Sequence, residues 1–185
     1  MGRWEPGAGG RLREAALALY LERGFEQTMV ADIAERAGVT ARTFFRYFAD
    51  KREVLFDAAA ELEEKALAAL EAAPATASPL EVVAIALEAA AEVIGHDREL
   101  VRQRHTVITA NAELRERELS KLAHLSSALA DGLRRRGVDE PGASLATETG
   151  AAVYRVAFQR WVEAAEDLDL REVTRQAFAQ LRTLT

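Results

Sequence analysis

Apolar residues recur along this chain with the period of an α-helix. Leu12, Ala15, Ala16, Leu19 and Tyr20 follow the i, i+3, i+4, i+7, i+8 stripe of a helix with one buried face. They predict a first helix over 10–23, ended by Gly24. A second helix starts after Thr28, a candidate N-cap, and ends at Ala37 before Gly38. A third starts after Thr40, another candidate cap, and runs to Phe48. Asp50 opens a fourth, with Glu53 placed to complete a capping box, and its stripe continues to about Ala72. Residues 73–78 interrupt the rhythm and mark a joint between two parts of the chain. Five more helices are predicted near 79–94, 98–110, 112–136, 141–165 and 170–184. No alternating apolar–polar stretch argues for a strand, so the expected fold class is all-α with about nine helices.

The stretch 28–48 carries the most specific pattern. Two short helices flank the tight turn at Ala37, Gly38 and Val39. Val30, Ile33 and Ala34 form one apolar face, and Ala34 is small where the second helix must cross closely. Gly38 can take the positive φ that the turn needs, and Val39 can fill the space between the helices. This is a helix-turn-helix, which places its second helix in the major groove of DNA. On that helix Phe44 and Phe48 share a core face, while Arg42 and Arg46 share another beside Ala41 and Phe45. Thr43 and Tyr47 form the last pair. So short a helix cannot bury four aromatic rings, and a contact from an exposed ring to a thymine methyl or a sugar would explain the surplus. Arg42, Lys51 and Arg52 each lie in a predicted first helical turn, where the helix dipole disfavours a cation. A docked phosphate would remove that mismatch, and Thr28 and Thr40 offer hydroxyl donors to one.

Composition narrows the function classes. The chain has 185 residues, 49% of them hydrophobic, with four prolines and no cysteine. Disulfides and thiolate metal sites are excluded, and no cofactor or metal is expected. No apolar run reaches the length of a membrane-spanning helix, and the expected location is cytoplasmic. Residues 1–10 read as a flexible tail without a secretion-signal pattern, in which Arg3 and Trp4 are either disordered or a minor-groove arm. The net charge of −6 argues against a nucleic-acid coat. That charge is uneven: residues 1–56 carry nine Arg/Lys against eight Asp/Glu, and the acidic excess lies in 57–185. The three histidines His96, His105 and His124 lack metal spacing. With no nucleophile elbow or phosphate loop either, an enzyme is not expected.

Residues 11–56 resemble the DNA-binding domain of the TetR (tetracycline repressor) family. The resemblance rests on Arg23-Gly24-Phe25, on Thr28, on the run Asp32 to Thr40, on the helix Thr43 to Phe48, and on Lys51. It implies a three-helix DNA-binding domain over 11–56 and a ligand-binding and dimerisation domain over 57–185. It also implies base contacts from Arg42 and Thr43, with Ala41 and Arg46 nearby. Three positions depart from the family pattern: Phe45 replaces a tyrosine and so lacks its phosphate-binding hydroxyl, Tyr47 replaces a histidine, and Met29 replaces a small hydroxyl residue. The stretch 102–181 resembles C-terminal domains of actinobacterial-type regulators in the family.

The resemblance implies double-stranded operator DNA, a small-molecule effector and a second copy of the chain as partners. Expected DNA contacts are Thr28, Thr40, Ala41, Arg42, Thr43, Phe45, Arg46, Tyr47 and Lys51. Polar or aromatic groups on otherwise apolar helices mark candidate ligand contacts: Arg102, His105, Ile108, His124, Tyr154, Phe158 and Trp161. Stripes on the last two helices mark a candidate dimer interface: Leu145, Thr149, Val153, Val156, Val173, Ala177, Phe178 and Leu181. The fourth helix is expected to be a continuous rod from Lys51 through Leu55, Leu62, Ala66 and Leu70, linking ligand to DNA. The expected function is a repressor released from its operator by a hydrophobic ligand. An activator of the same fold, and a helical ligand-binding or interaction protein with weakened DNA binding, remain open alternatives.

Overall fold

The computed structural model describes residues 7–184, so Arg3 and Trp4 lie outside the described residues. The described residues hold nine α-helices and one 3-10 turn, and no strand. The helices are α1 (Ala8–Arg23), α2 (Val30–Arg36), α3 (Ala41–Tyr47), α4 (Ala59–Ala72), α5 (Pro79–Ile94), α6 (Arg98–Ala110), α7 (Ala112–Arg135), α8 (Glu140–Glu163) and α9 (Leu170–Leu184). No helix among the described residues is long and apolar enough to cross a membrane.

The chain forms two compact units. The first runs to Asp57 and then takes in Arg102–Glu118, the end of α6 and the start of α7. Its core combines the α1 stripe (Leu12, Ala16, Leu19, Tyr20) with Phe25, Ile33, Phe44 and Phe48. Val107, Ile108 and Leu114 complete that core. The reading of 11–56 omits this later segment, because helical periodicity says which face is buried but not against what. Ion pairs also hold the segment in place: Arg117 with Glu53, Arg52 with Glu113, and Arg104 with Glu118.

Three local features differ from the sequence expectation. Helix α1 begins at Ala8, so the tail expected through residue 10 is already helical from that point. Helix α2 is capped by Met29 rather than Thr28: the Asp32 carboxylate accepts from the Met29 N–H at 3.0 Å. The fourth helix is not a continuous rod. A 3-10 turn spans Glu53–Leu55, and α4 starts only at Ala59. Val54, Leu55 and Phe56 are all buried in the first unit's core. The turn closes with i to i−3 bonds, Leu55 N–H to Arg52 O and Phe56 N–H to Glu53 O, both at 3.0 Å, and the helix does not continue past it. Asp50 caps this 3-10 turn, accepting from the N–H groups of Arg52 (2.8 Å) and Glu53 (3.2 Å).

The second unit comprises Ala58–Val101 and Leu119–Thr185. Within it α5 packs against α4, α8 and α9. Its core includes Leu70, Val83, Leu129, Leu133, Trp161, Leu170 and Phe178. Ser78 and Glu81 form a capping box with Pro79 in the first turn of α5, which starts the helix sharply. Two arginines close helix ends. Arg136 donates to the carbonyls of Leu70 (3.1 Å), Ala73 (3.0 Å) and Pro74 (2.9 Å) at the end of α4. Arg98 donates to Trp161 O at 2.6 Å, and to Ala164 and Glu166, at the end of α8. The last turn of a helix leaves its carbonyls without partners, and each guanidinium supplies several donors there.

Helices α5 and α8 approach closely at Gly150. A Cβ at this position would run into the Val83 side chain. Valine is β-branched and cannot swing aside cheaply. Gly150→Ala should therefore lose about 1–2 kcal/mol net, because overpacking outweighs the gain in helix propensity. Urea unfolding measures this, and an unchanged or higher midpoint would contradict the close approach.

Candidate DNA interface and ligand cleft

The turn between α2 and α3 is closed by backbone bonds. Gly38 N–H donates to Glu35 O at 3.0 Å, and Val39 N–H donates to Ala34 O at 2.9 Å. Gly38 has φ 68°, the left-handed region that a side chain would disfavour. Thr40 then caps α3 by accepting from the Thr43 N–H at 3.2 Å, and its hydroxyl also meets that of Thr43 at 3.1 Å. Phe44 is fully buried and Phe48 nearly so, which locks α3 against α1 and α2. The opposite face is open. Thr40, Ala41, Arg42, Phe45, Arg46 and Tyr47 are exposed and Thr43 is half-buried. Arg42, Thr43, Phe45 and Arg46 border one shallow depression.

Several arginines elsewhere in the unit are paired with carboxylates. Arg13 pairs with Asp57, Arg36 with Glu22, and Arg52 with Asp50 and Glu113. The Arg52 guanidinium holds the Asp50 carboxyl below the usual carboxylate range. Among the described residues, Arg42 and Arg46 have no carboxylate partner. The Arg46 guanidinium lies 5.1 Å from the Tyr47 ring centroid. The Tyr47 ring in turn lies over Gly9 of α1, where a Cβ would come within 3.3 Å of it.

Two expected phosphate ligands are engaged inside the protein instead. Lys51 Nζ donates to Phe25 O at 2.8 Å and Thr28 O at 2.9 Å, and lies 4.3 Å from the Phe25 ring centroid. Thr28 is buried, and its hydroxyl donates to Gly24 O at 2.9 Å. The Tyr20 hydroxyl donates to Lys51 O at 2.6 Å, and burial, with the nearby Asp50 charge, pushes this phenol above its ordinary range. Lys51 and Thr28 therefore fasten the α1–α2 connection to the segment after α3. Arg52, paired with Asp50 and Glu113, needs no phosphate to offset a helix dipole. Only Arg42, in the first turn of α3, keeps that electrostatic mismatch.

The expected ligand residues divide between the two units. Arg102, His105 and Ile108 belong to the first unit, where Ile108 is core. His124 is exposed on α7 with Nε2 3.3 Å from a Glu63 carboxylate oxygen. Trp161 is fully buried; its ring N–H donates to Leu168 O at 2.6 Å and its centroid is 6.0 Å from that of Phe158. Tyr154 does line a cleft, together with Leu87, Leu122, Leu125, Ser126, Leu129, Thr147 and Ala151. The cleft offers only about 10 Å³ to the centre of a water-sized sphere. Sequence reading missed its leucines and Ser126 because they look like ordinary helix-core residues.

The expected interface residues divide similarly. Val173 and Phe178 are buried in the second unit's own core. Val153 and Ala177 pack against it half-buried, and Leu181 is also half-buried. Leu145 and Val156 stay 69% and 67% exposed on α8, with half-buried Thr149 between them at helical spacing.

The chain resembles known proteins along most of its length. Residues 12–62 match the family described as bacterial regulatory proteins, tetR family, and residues 77–184 match the MftR C-terminal domain. It is 43% identical over 89 residues to the HTH-type transcriptional regulator TcmR of Streptomyces glaucescens, a match covering 48% of this chain and 38% of TcmR. It is 41% identical over 46 residues to the HTH-type transcriptional repressor KstR2 of Mycobacterium tuberculosis, covering 25% of this chain and 23% of KstR2. Each match thus spans less than half of the curated relative. Among solved structures, FadR of Thermus thermophilus, a TetR-family transcriptional repressor in complex with lauroyl-CoA, superposes with a TM-score of 0.57 at 25% identity, over 94% of this chain and 93% of that one. With a match on each side of the joint at 73–78, the second spanning more than half of its length, the chain belongs to the TetR family of bacterial regulatory proteins.

Proposed function

We propose that the protein is a cytoplasmic transcriptional repressor that grips a palindromic operator as a dimer and leaves it when a small, largely hydrophobic ligand binds. It acts by binding, with no turnover of the ligand. The carrying observation is the exposed face of α3, where Arg42 and Arg46 stand together with no carboxylate partner among the described residues, while Arg13, Arg36 and Arg52 each have one. An unpaired basic face on a helix-turn-helix suits a phosphate-lined groove. The proposed contact set is Thr40, Ala41, Arg42, Thr43, Phe45, Arg46 and Tyr47, with Thr28 and Lys51 bracing the helices behind it.

A hydrophobic ligand suits the cleft at Tyr154, half of whose lining residues are leucine, with Ser126 and Thr147 as polar points. At its present size the cleft must widen to accept one, which gives ligand binding a conformational consequence. The acyl chain of the lauroyl-CoA held by the FadR structure is of the chemical class expected here.

The second copy is proposed to dock on the α8 stripe of Leu145, Thr149 and Val156. Burying each exposed aliphatic side chain contributes about 1.5–3 kcal/mol. A dimer presents two recognition helices, which read half-sites about 34–36 Å apart. Leu145→Glu combined with Val156→Glu should convert the dimer to a folded monomer with weak operator binding, as sedimentation equilibrium and circular dichroism would show. A variant that stays dimeric places the interface elsewhere.

The test of the function is an anisotropy titration of the protein against duplex DNA from its own upstream region, repeated with medium-chain acyl compounds present. Tight, salt-sensitive binding relieved by the compound supports the reading. Binding no tighter than to random duplex rules out a local operator, and selection from random sequence then decides whether the protein reads DNA at all.

A further inference from the structure

We propose that Phe45 is a base-reading residue that recognises the C5 methyl group of a thymine in the operator. The inference rests on the DNA-binding reading above and names what one side chain reads. Phe45 is 58% exposed although it stands in the middle of α3. The core has no place for it, since Phe44 and Phe48 already fill the inward face. Its ring is held nonetheless: it meets Phe44 edge-on, with centroids 5.4 Å apart and planes at 84°. An exposed ring fixed by a buried one is a rigid apolar projection and loses little freedom on binding. It borders the same depression as Arg42, Thr43 and Arg46, so cations capable of drawing in a phosphate backbone flank it.

The chemistry of the side chain limits what it can read. Phenylalanine has no hydroxyl, so it cannot donate to a phosphate. In the major groove the thymine methyl is the one apolar group displayed by any base edge, and apolar contact with it distinguishes thymine from cytosine and the purines. The ring of Phe45 and that methyl are complementary in the one property that the neighbouring arginines lack.

Deoxyuridine differs from thymidine only by this methyl and pairs identically. The experiment selects bound duplexes from a random pool, then replaces each thymine of the selected site in turn by deoxyuridine. Wild type and Phe45→Ala are titrated against every duplex and against an unrelated one. Phe45 is exposed, so the variant should fold normally, which circular dichroism checks. At one thymine per half-site, removing the methyl should weaken wild type by about fourfold, the value of one methyl group taken from water. The same replacement should leave Phe45→Ala unchanged. The proposal is overturned if no thymine shows a methyl effect, if the effect persists in Phe45→Ala, or if Phe45→Ala weakens specific and unrelated DNA equally, which marks a sugar or backbone contact. Failure of wild type to select any duplex would instead overturn the DNA-binding reading, and this inference with it.

Discussion

Replacing Arg42 and Arg46 together by alanine should weaken operator binding by about a hundredfold or more while leaving the fold intact. Both side chains are exposed, and neither holds a carboxylate among the described residues. Their loss should shift stability by no more than about 0.5 kcal/mol. In the groove, each good arginine contact to a base is worth about 1–3 kcal/mol, and every 1.4 kcal/mol is tenfold in affinity. Single variants divide the roles. If Arg42 reads a base, Arg42→Ala lowers affinity for the operator and relaxes its sequence preference at one position per half-site. If Arg46 neutralises a phosphate, Arg46→Ala weakens specific and non-specific DNA alike and reduces the salt slope by about 0.9 per contact. Tyr47 qualifies this division: the Arg46 guanidinium donates to its hydroxyl at 3.4 Å, so removing Arg46 also frees that ring. Anisotropy titrations at several salt concentrations give both quantities. Unchanged operator affinity in the double variant would overturn the placement of the interface on α3.

Trp161→Ala carries the largest expected loss of stability, about 3–5 kcal/mol. The ring is fully buried in the second unit, and its N–H holds the Leu168 carbonyl in the connection between α8 and α9. Arg98, which closes the end of α8, lies 5.6 Å from the ring centroid. Truncation leaves a large cavity, removes the donor to the Leu168 carbonyl and removes the surface against which Arg98 is placed. Domains of this size commonly have only about 5–15 kcal/mol in total, so partial unfolding at physiological temperature is expected. Trp161→Phe keeps most of the volume and isolates the hydrogen bond, with an expected cost nearer 1–2 kcal/mol. Urea unfolding followed by circular dichroism measures both. A Trp161→Ala protein of unchanged stability but altered ligand affinity would return this residue to the ligand site.

Trp161 also illustrates how the sequence misleads about clefts. A tryptophan beside Tyr154 and Phe158 on one helix reads as an aromatic cluster awaiting a ligand. The structure buries it with its polar atom satisfied, while Tyr154, seven positions earlier, reaches the cleft. Aromatic content does not separate a core ring from a pocket ring, because the difference lies in which other helices surround it. The expected interface residues divide for the same reason. Val173 and Phe178 have the same apolar character as Leu145 and Val156, yet the first two are core and the last two face outward.

What the amino-acid sequence determined by itself is local. The helical period, the glycine at φ 68° between α2 and α3, the Thr40 cap and the inward turn of Phe44 and Phe48 all act within a few residues, and all were legible. So was the basic outer face of α3, because spacing alone places Arg42 and Arg46 together. Tertiary structure decided what each long-reaching group is joined to. Lys51 meets carbonyls 23 and 26 positions away, and Arg52 meets Glu113 across 61 positions. The break between the 3-10 turn and α4, and the return of residues 102–118 to the first unit, are likewise tertiary, with Val54, Phe56 and Ile108 sharing that unit's core. A charge or an apolar side chain announces in sequence that it needs a partner. Which partner it obtains depends on the packing of distant helices, and that choice separates Arg13, Arg36 and Arg52, each paired with a carboxylate, from Arg42 and Arg46 on the exposed face of α3.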